Sequence, residues 1–229
     1  MKAYIFQHVP FEGPAAIAYW LTQNNFTIEY VRFYESFAIP TLDHVDWLIL
    51  MGGAMSVNDE HEFPWLAEEK KFIRHCIEAG KKVVGVCLGS QLIANALGSK
   101  VFQGKEKEIG WFPIYQSDSI YTSGNSIPKQ ITVFHWHGET FDLPIGASLI
   151  ASSKACSNQI FWYSNNVLAM QCHLEMTPEA IAGMLKHCSQ EIHPAPYIQT
   201  ANEIEEGTAL YASYANILLF SLLNELKGK

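Results

Sequence analysis

The chain has 229 residues, of which 48% are hydrophobic and 17% charged, and a formal net charge of -8. This length and composition allow one sizeable buried core in a single domain over 1–229, and the acidic balance excludes a nucleic-acid backbone as partner. No apolar run is long enough to span a bilayer, and the N-terminus enters a strand pattern without a signal-peptide core, so a cytoplasmic location away from membranes is expected.

In chain order, residues 3–6 read as a buried strand, 14–24 as a helix with Ile17, Trp20 and Leu21 on one face, and 26–33 as a second strand. A third strand, 45–51, ends in Gly52-Gly53, and a helix over 64–79 is stopped by Gly80. A fourth strand, 83–86, feeds a helix over 90–97. Strands alternating with helices predict an α/β fold with a doubly wound, mostly parallel sheet.

Beyond residue 100 the pattern changes to short strands at 101–102, 111–115, 130–135, 148–151, 159–163 and 167–171. These form a small antiparallel addition, with Asn165-Asn166 as a hairpin turn. The mixed charges of 100–108 read as a solvated turn, and 121–128 and 193–196 as loops. Helices are expected at 178–187, with Thr177 as N-cap, and at 208–226.

Chemistry concentrates where the strand 83–86 turns into its helix. Cys87 sits there between Gly85 and Gly89, the small-nucleophile-small pattern of a nucleophile elbow with cysteine in place of serine. Larger flanking side chains would collide in so tight a turn. The free N–H groups and dipole of the helix N-terminus favour a thiolate and can hold an oxyanion. Five cysteines, at 76, 87, 156, 172 and 188, are odd in number and lack C-x-x-C spacing, which suggests neither a disulfide framework nor a zinc site.

A thiol nucleophile needs a base, and the base an orienting group. Gln171-Cys172-His173-Leu174-Glu175 follows a strand, and ligands in α/β sheets bind beyond the carboxyl ends of strands. In an extended segment His173 and Glu175 point to the same side, so the carboxylate can fix the imidazole. His135 and His137 flank Trp136 at strand spacing. With no further ligand clustered nearby in sequence, the metal reading is set aside, and His135 and Trp136 are assigned to a substrate-pocket wall. The stretch 98–106 has the wrong spacing for a phosphate loop and ends in glutamate, so no ATP site is visible.

Three segments, Met51-Gly52-Gly53-Ala54-Met55-Ser56-Val57-Asn58-Asp59, Gly85-Val86-Cys87-Leu88-Gly89-Ser90-Gln91 and Gln171-Cys172-His173-Leu174-Glu175, resemble in order the signatures of class I glutamine amidotransferases. The likeness covers about residues 45–185. Glu108-Ile109-Gly110-Trp111 and the run from His135 to Pro144 are similar to the stand-alone branch akin to the amidotransferase domain of GMP synthase, which also contains γ-glutamyl peptidases.

The resemblance implies a flavodoxin-like sheet and a catalytic triad of Cys87, His173 and Glu175. It further implies an oxyanion hole from the Gly53 and Leu88 N–H groups, and Gln91 as a residue holding the glutamyl moiety. Glutamine would be the small-molecule substrate and a separate synthase the partner, with no cofactor. The alternatives are a γ-glutamyl peptidase and a catalytically idle binding protein. The family commonly has an aromatic residue before the histidine and a proline after it, where this chain has Cys172 and Leu174.

Overall fold

The computed structural model describes residues 1–117 and 127–229. Most of the loop expected at 121–128 lies outside the described residues. Among those described, nine strands form one sheet flanked by helices on both faces.

The first half alternates strand and helix as expected: β1 (Lys2–Gln7), α1 (Ala15–Gln23), β2 (Thr27–Arg32), β3 (Trp47–Leu50), α2 (Trp65–Glu78), β4 (Lys82–Val86) and α3 (Leu88–Ala96). Then follow β5 (Val101–Gln116), β6 (Gln130–Phe141), β7 (Ala147–Ser152), β8 (Ile160–Tyr163), β9 (Val167–Met170), α4 (Pro178–Cys188) and α5 (Ala201–Gly228). The sheet order is β2-β1-β3-β4-β9-β8-β7-β5-β6. Neighbours from β2 through β9 are parallel, and those from β9 through β6 antiparallel.

The sheet is therefore mixed in equal parts, and the antiparallel portion is not a small addition. Of residues 100–108, expected to be a solvated turn, all but Lys100 belong to β5, a long strand that pairs with β6 and shifts register between Gln103 and Glu108. The charges of 105 and 106 do face solvent, but Glu108 is turned inward and is 1% exposed.

Period-two alternation along the central strands divides the core. Ala3, Ile5, Trp47, Ile49, Val84 and Val86 pack with α1, α4 and α5. Phe6, Leu48, Leu50 and Val83 pack with α2 and α3 on the other face. Near-continuous apolar runs follow from burial on both sides.

Helix ends follow their local chemistry. The Thr177 side chain accepts from Ala180 N–H at 3.3 Å and caps α4. Helix α5 begins earlier than periodicity suggests, because Thr200 and Glu203 form a capping box that adds two turns before the amphipathic stretch. Among the described residues no helix is long and apolar enough to cross a membrane.

Candidate active site

Strand β4 ends at the sheet's centre, and the chain turns abruptly into α3 at Cys87, whose φ is 51°. L-residues rarely adopt that region, so the turn is held by its surroundings. Cys87 N–H donates to the Met170 carbonyl at 2.8 Å, joining the turn to the end of β9, and Ser90 Oγ–H donates to the Cys87 carbonyl at 2.7 Å. The flanking glycines are sterically required. A Cβ on Gly89 would overlap the Leu50 carbonyl, and one on Gly85 would sit 2.5 Å from the Gly89 carbonyl oxygen.

Ser90 and Gln91 N–H groups both reach the Cys87 carbonyl, so the N–H groups of Leu88 and Gly89 precede the first intrahelical bonds. They lie at the positive end of α3, beside the sulfur.

His173 enters from the end of β9. Its N–H donates to the Phe134 carbonyl on β6 at 2.8 Å, and its ring Nδ1 lies 2.7 Å from Glu175 Oε1. Both residues are 2% exposed. The other ring nitrogen, Nε2, has no hydrogen-bond partner among the described residues. Burial opposes the imidazolium, but the Glu175 carboxylate and the Cys87 sulfur outweigh it, and the His173 pKa stands well above its ordinary value. The expected cysteine, histidine and glutamate are thus brought together where β4 and β9 end side by side.

The Cys87 sulfur also lies 3.7 Å from the Trp136 carbonyl and 3.8 Å from Gln171 Nε2, while Gln171 Oε1 accepts from Gln91 Nε2 at 3.0 Å. Gln171, which sequence reasoning passed over, links Gln91 to the sulfur. A cavity of about 250 Å³ opens here, walled by Gly53, Gln91, Trp136, Glu12, Glu139 and Glu191. Gly53 and Leu88 stand on either side of the turn, and a Cβ on Gly53 would meet Leu88 Cδ2 at 2.9 Å.

Three carboxylates in this wall carried no signal in the sequence, because they come from segments far apart in the chain. Glu191 is bound by Lys107 Nζ at 2.7 Å and Trp136 Nε1 at 3.2 Å, and Glu139 accepts from Ser56 Oγ at 3.1 Å. Glu12 is half-buried, and burial pushes its pKa up to about 7 against the attraction of His173 and His8.

His135 is not in this wall. Alternation along β6 turns it away from Trp136, and it is fully buried with Glu108 and Gln159. Burial pushes its pKa down to about 4, against the attraction of Glu108. Glu108 supplies the third ligand type that the sequence did not place near the histidines, and ligand atoms of Glu108, His135 and His137 lie within 4.8 Å of one another. Such a set could hold a divalent ion. The Gln159 side-chain nitrogen sits among them, donating to Glu108 Oε2 at 2.7 Å and lying 3.3 Å from His135 Nδ1 and 3.4 Å from His137 Nε2.

Comparison with known proteins agrees with this fold. Residues 15–190 match the family Glutamine amidotransferase class-I. The glutamine amidotransferase-like protein YfeJ of Salmonella typhimurium is 34% identical over 99% of this chain and 97% of its own length. A glutamine-hydrolyzing GMP synthase subunit from Thermoplasma acidophilum is 32% identical over 59% of this chain and 66% of its own length. The crystal structure of a glutamine amido transferase from Methylobacillus flagellatus superposes with a TM-score of 0.94 at 27% identity, covering 99% of this chain and 94% of that one. The chain belongs to the class I glutamine amidotransferase family.

Proposed function

We propose that the protein is a thiol-dependent hydrolase of γ-glutamyl amides, with glutamine as substrate and Cys87, His173 and Glu175 as its triad. The observation that carries this reading is the buried His173–Glu175 pair, 2.7 Å apart, beside a cysteine held at positive φ on a helix N-terminus. Such a strand-to-helix turn is what a nucleophile elbow requires, and the parallel order β2-β1-β3-β4-β9 supports a flavodoxin-like winding.

In the reaction, the Cys87 thiolate adds to the γ-carbonyl carbon, and the carbonyl π pair moves onto oxygen. The N–H groups of Gly53 and Leu88 hold that oxyanion. Imidazolium His173 gives its Nε2 proton to the leaving nitrogen, the C–N bond breaks, and ammonia departs from a thioester. Neutral His173 then takes a proton from water, which attacks the thioester and releases glutamate with Cys87 as leaving group. Glu175 keeps the imidazole oriented and stabilises its charged form.

Gln91 holds the glutamyl group through its link to Gln171, Trp136 walls the pocket, and the carboxylates of Glu12 and Glu139 suit an α-ammonium group. The family likeness to a component of GMP synthase supports a separate synthase as partner and recipient of ammonia. The test is a product assay with purified protein, following glutamate and ammonia from glutamine and glutamate from γ-glutamyl peptides. Glutamine turnover that vanishes in Cys87→Ala is the expected result. Preference for a γ-glutamyl peptide would make the chain a peptidase, and no turnover of either would remove the hydrolase reading.

A further inference from the structure

One pair of titratable side chains lies wholly inside the protein on the α2 side, with no part in the chemistry above: His8, which follows β1, and Glu69, on α2. Both side chains have zero exposure. An interior ion pair costs several kcal/mol in desolvation, and an apolar pair of similar volume often serves stability as well. His8 Nε2 lies 3.0 Å from Glu69 Oε1, and the ring stacks against Phe33 and Trp65 at centroid distances of 5.4 and 5.7 Å.

The other ring nitrogen, Nδ1, lies 3.1 Å from the Gly52 carbonyl oxygen. Both partners offer acceptor oxygens, and an imidazolium, with hydrogen on each nitrogen, satisfies the two at once. Burial opposes that charge, but Glu69 and the Gly52 carbonyl outweigh it, and the His8 pKa is raised.

The position of this bond in the chain gives it a consequence. Met51 N–H still donates to the Phe6 carbonyl at 3.0 Å, but the Gly52 carbonyl lies past the end of β3 and is taken by His8 instead. A trans peptide points its C=O and N–H in opposite directions. A Gly52 carbonyl drawn toward His8, on the α2 side, sends the Gly53 N–H the opposite way, away from His8, and Gly53 lines the pocket together with Cys87. Among the described residues that N–H has no protein acceptor. A side chain at this position is excluded, since a Cβ on Gly53 would meet His8 Cβ at 2.9 Å.

We infer that His8, held by Glu69, is a positioning residue that fixes the Gly52-Gly53 peptide with the Gly53 N–H presented to the reacting carbonyl. This rests on the oxyanion role proposed for Gly53. The bond takes no part in making or stabilising the thiolate, so its loss slows acyl transfer and leaves the reactivity of the sulfur intact.

Two double variants separate this role from simple stability, because neither leaves a buried charge unpaired. His8→Leu with Glu69→Leu removes the donor to Gly52, whereas His8→Asn with Glu69→Leu keeps an amide N–H near the place of Nδ1. The first should lose roughly 10²-fold in kcat on the preferred γ-glutamyl substrate, with KM and the rate of Cys87 alkylation by iodoacetamide each within about threefold of wild type. The second should regain at least about tenfold of that loss. A kcat within about threefold of wild type for the first, alkylation that falls with kcat, or no recovery with asparagine would overturn the inference. A wild type that alkylates at Cys87 yet turns over no γ-glutamyl compound would instead overturn the proposed function, and this inference with it.

Discussion

Asn216, on α5, donates its side-chain amide to the Leu174 carbonyl at 2.7 Å, and the same nitrogen reaches the Met176 carbonyl at 3.2 Å. Ala16 N–H binds the carbonyl between them, that of Glu175, at 3.0 Å. Three successive carbonyls are thereby held from outside the segment. This clamp stands where the family commonly relies on proline after the histidine, and it restrains the backbone that sets the His173–Glu175 geometry. Replacing Asn216 by leucine strands two carbonyls, which should lower stability by about 1 to 2 kcal/mol. It should also reduce kcat several-fold while leaving KM in place. Urea denaturation and steady-state kinetics check both, and an unchanged kcat would show that the segment holds itself.

Alkylation should discriminate sharply among the five buried thiols. Burial pushes the pKa of Cys76 up to about 12 and that of Cys188 to about 11, and it raises Cys172 and Cys156 as well. These four stay protonated at pH 7.5 and react slowly. A γ-glutamyl analogue bearing an electrophile is expected to modify Cys87 first, as read by peptide mass spectrometry. Modification chiefly at Cys76 or Cys172 would remove Cys87 as nucleophile.

Glu175→Gln keeps the shape of the His173 partner and removes its charge. The His173 imidazolium that protonates the leaving nitrogen then lacks its counter-ion, and kcat should fall by roughly 10²-fold or more. Turnover within about twofold of wild type at saturating substrate would mean that another carboxylate fills the role.

The raised pKa of Glu12 has a definite sign in stability. Its carboxyl titrates near 7 in the folded protein, above its ordinary value of 4.5, so the folded state holds the proton more tightly. Stability therefore falls as pH rises through that interval. Glu12→Gln should match wild type in Tm near pH 5 and exceed it at pH 8. The same change should raise KM for a substrate with a free α-ammonium group. A Tm difference independent of pH would contradict the assignment.

Gly89→Ala adds one methyl group where the Leu50 carbonyl already lies. The turn at Cys87 should open or the protein fail to fold, whereas Gly98→Ala, at a helix end with open space around it, should cost only backbone strain. Circular dichroism and Cys87 alkylation distinguish the two.

The central strands were legible because burial on both faces leaves long apolar runs, and the turn at Cys87 because two glycines two residues away are a local steric need. His173 and Glu175 were legible because their spacing and their place after a strand are also local. Residues 100–108 were misread for the opposite reason. Solvent-facing charges on a strand look like those of a turn, and nothing local marks Glu108 as the one that faces inward.

The amino-acid order alone determined most of the elements, the turn at Cys87 and the His173–Glu175 pair, since each depends on contacts within a few residues. Tertiary structure decided which residues of β6 reach the pocket, and so left His135 out of the substrate wall and buried it with Glu108 and Gln159. It also brought Glu12, Glu139 and Glu191 to one cavity, set Asn216 against Leu174, and placed the His8–Glu69 pair behind Gly52. Each of these joins positions well separated in the chain, where closing the chain rather than any local pattern fixes the distance.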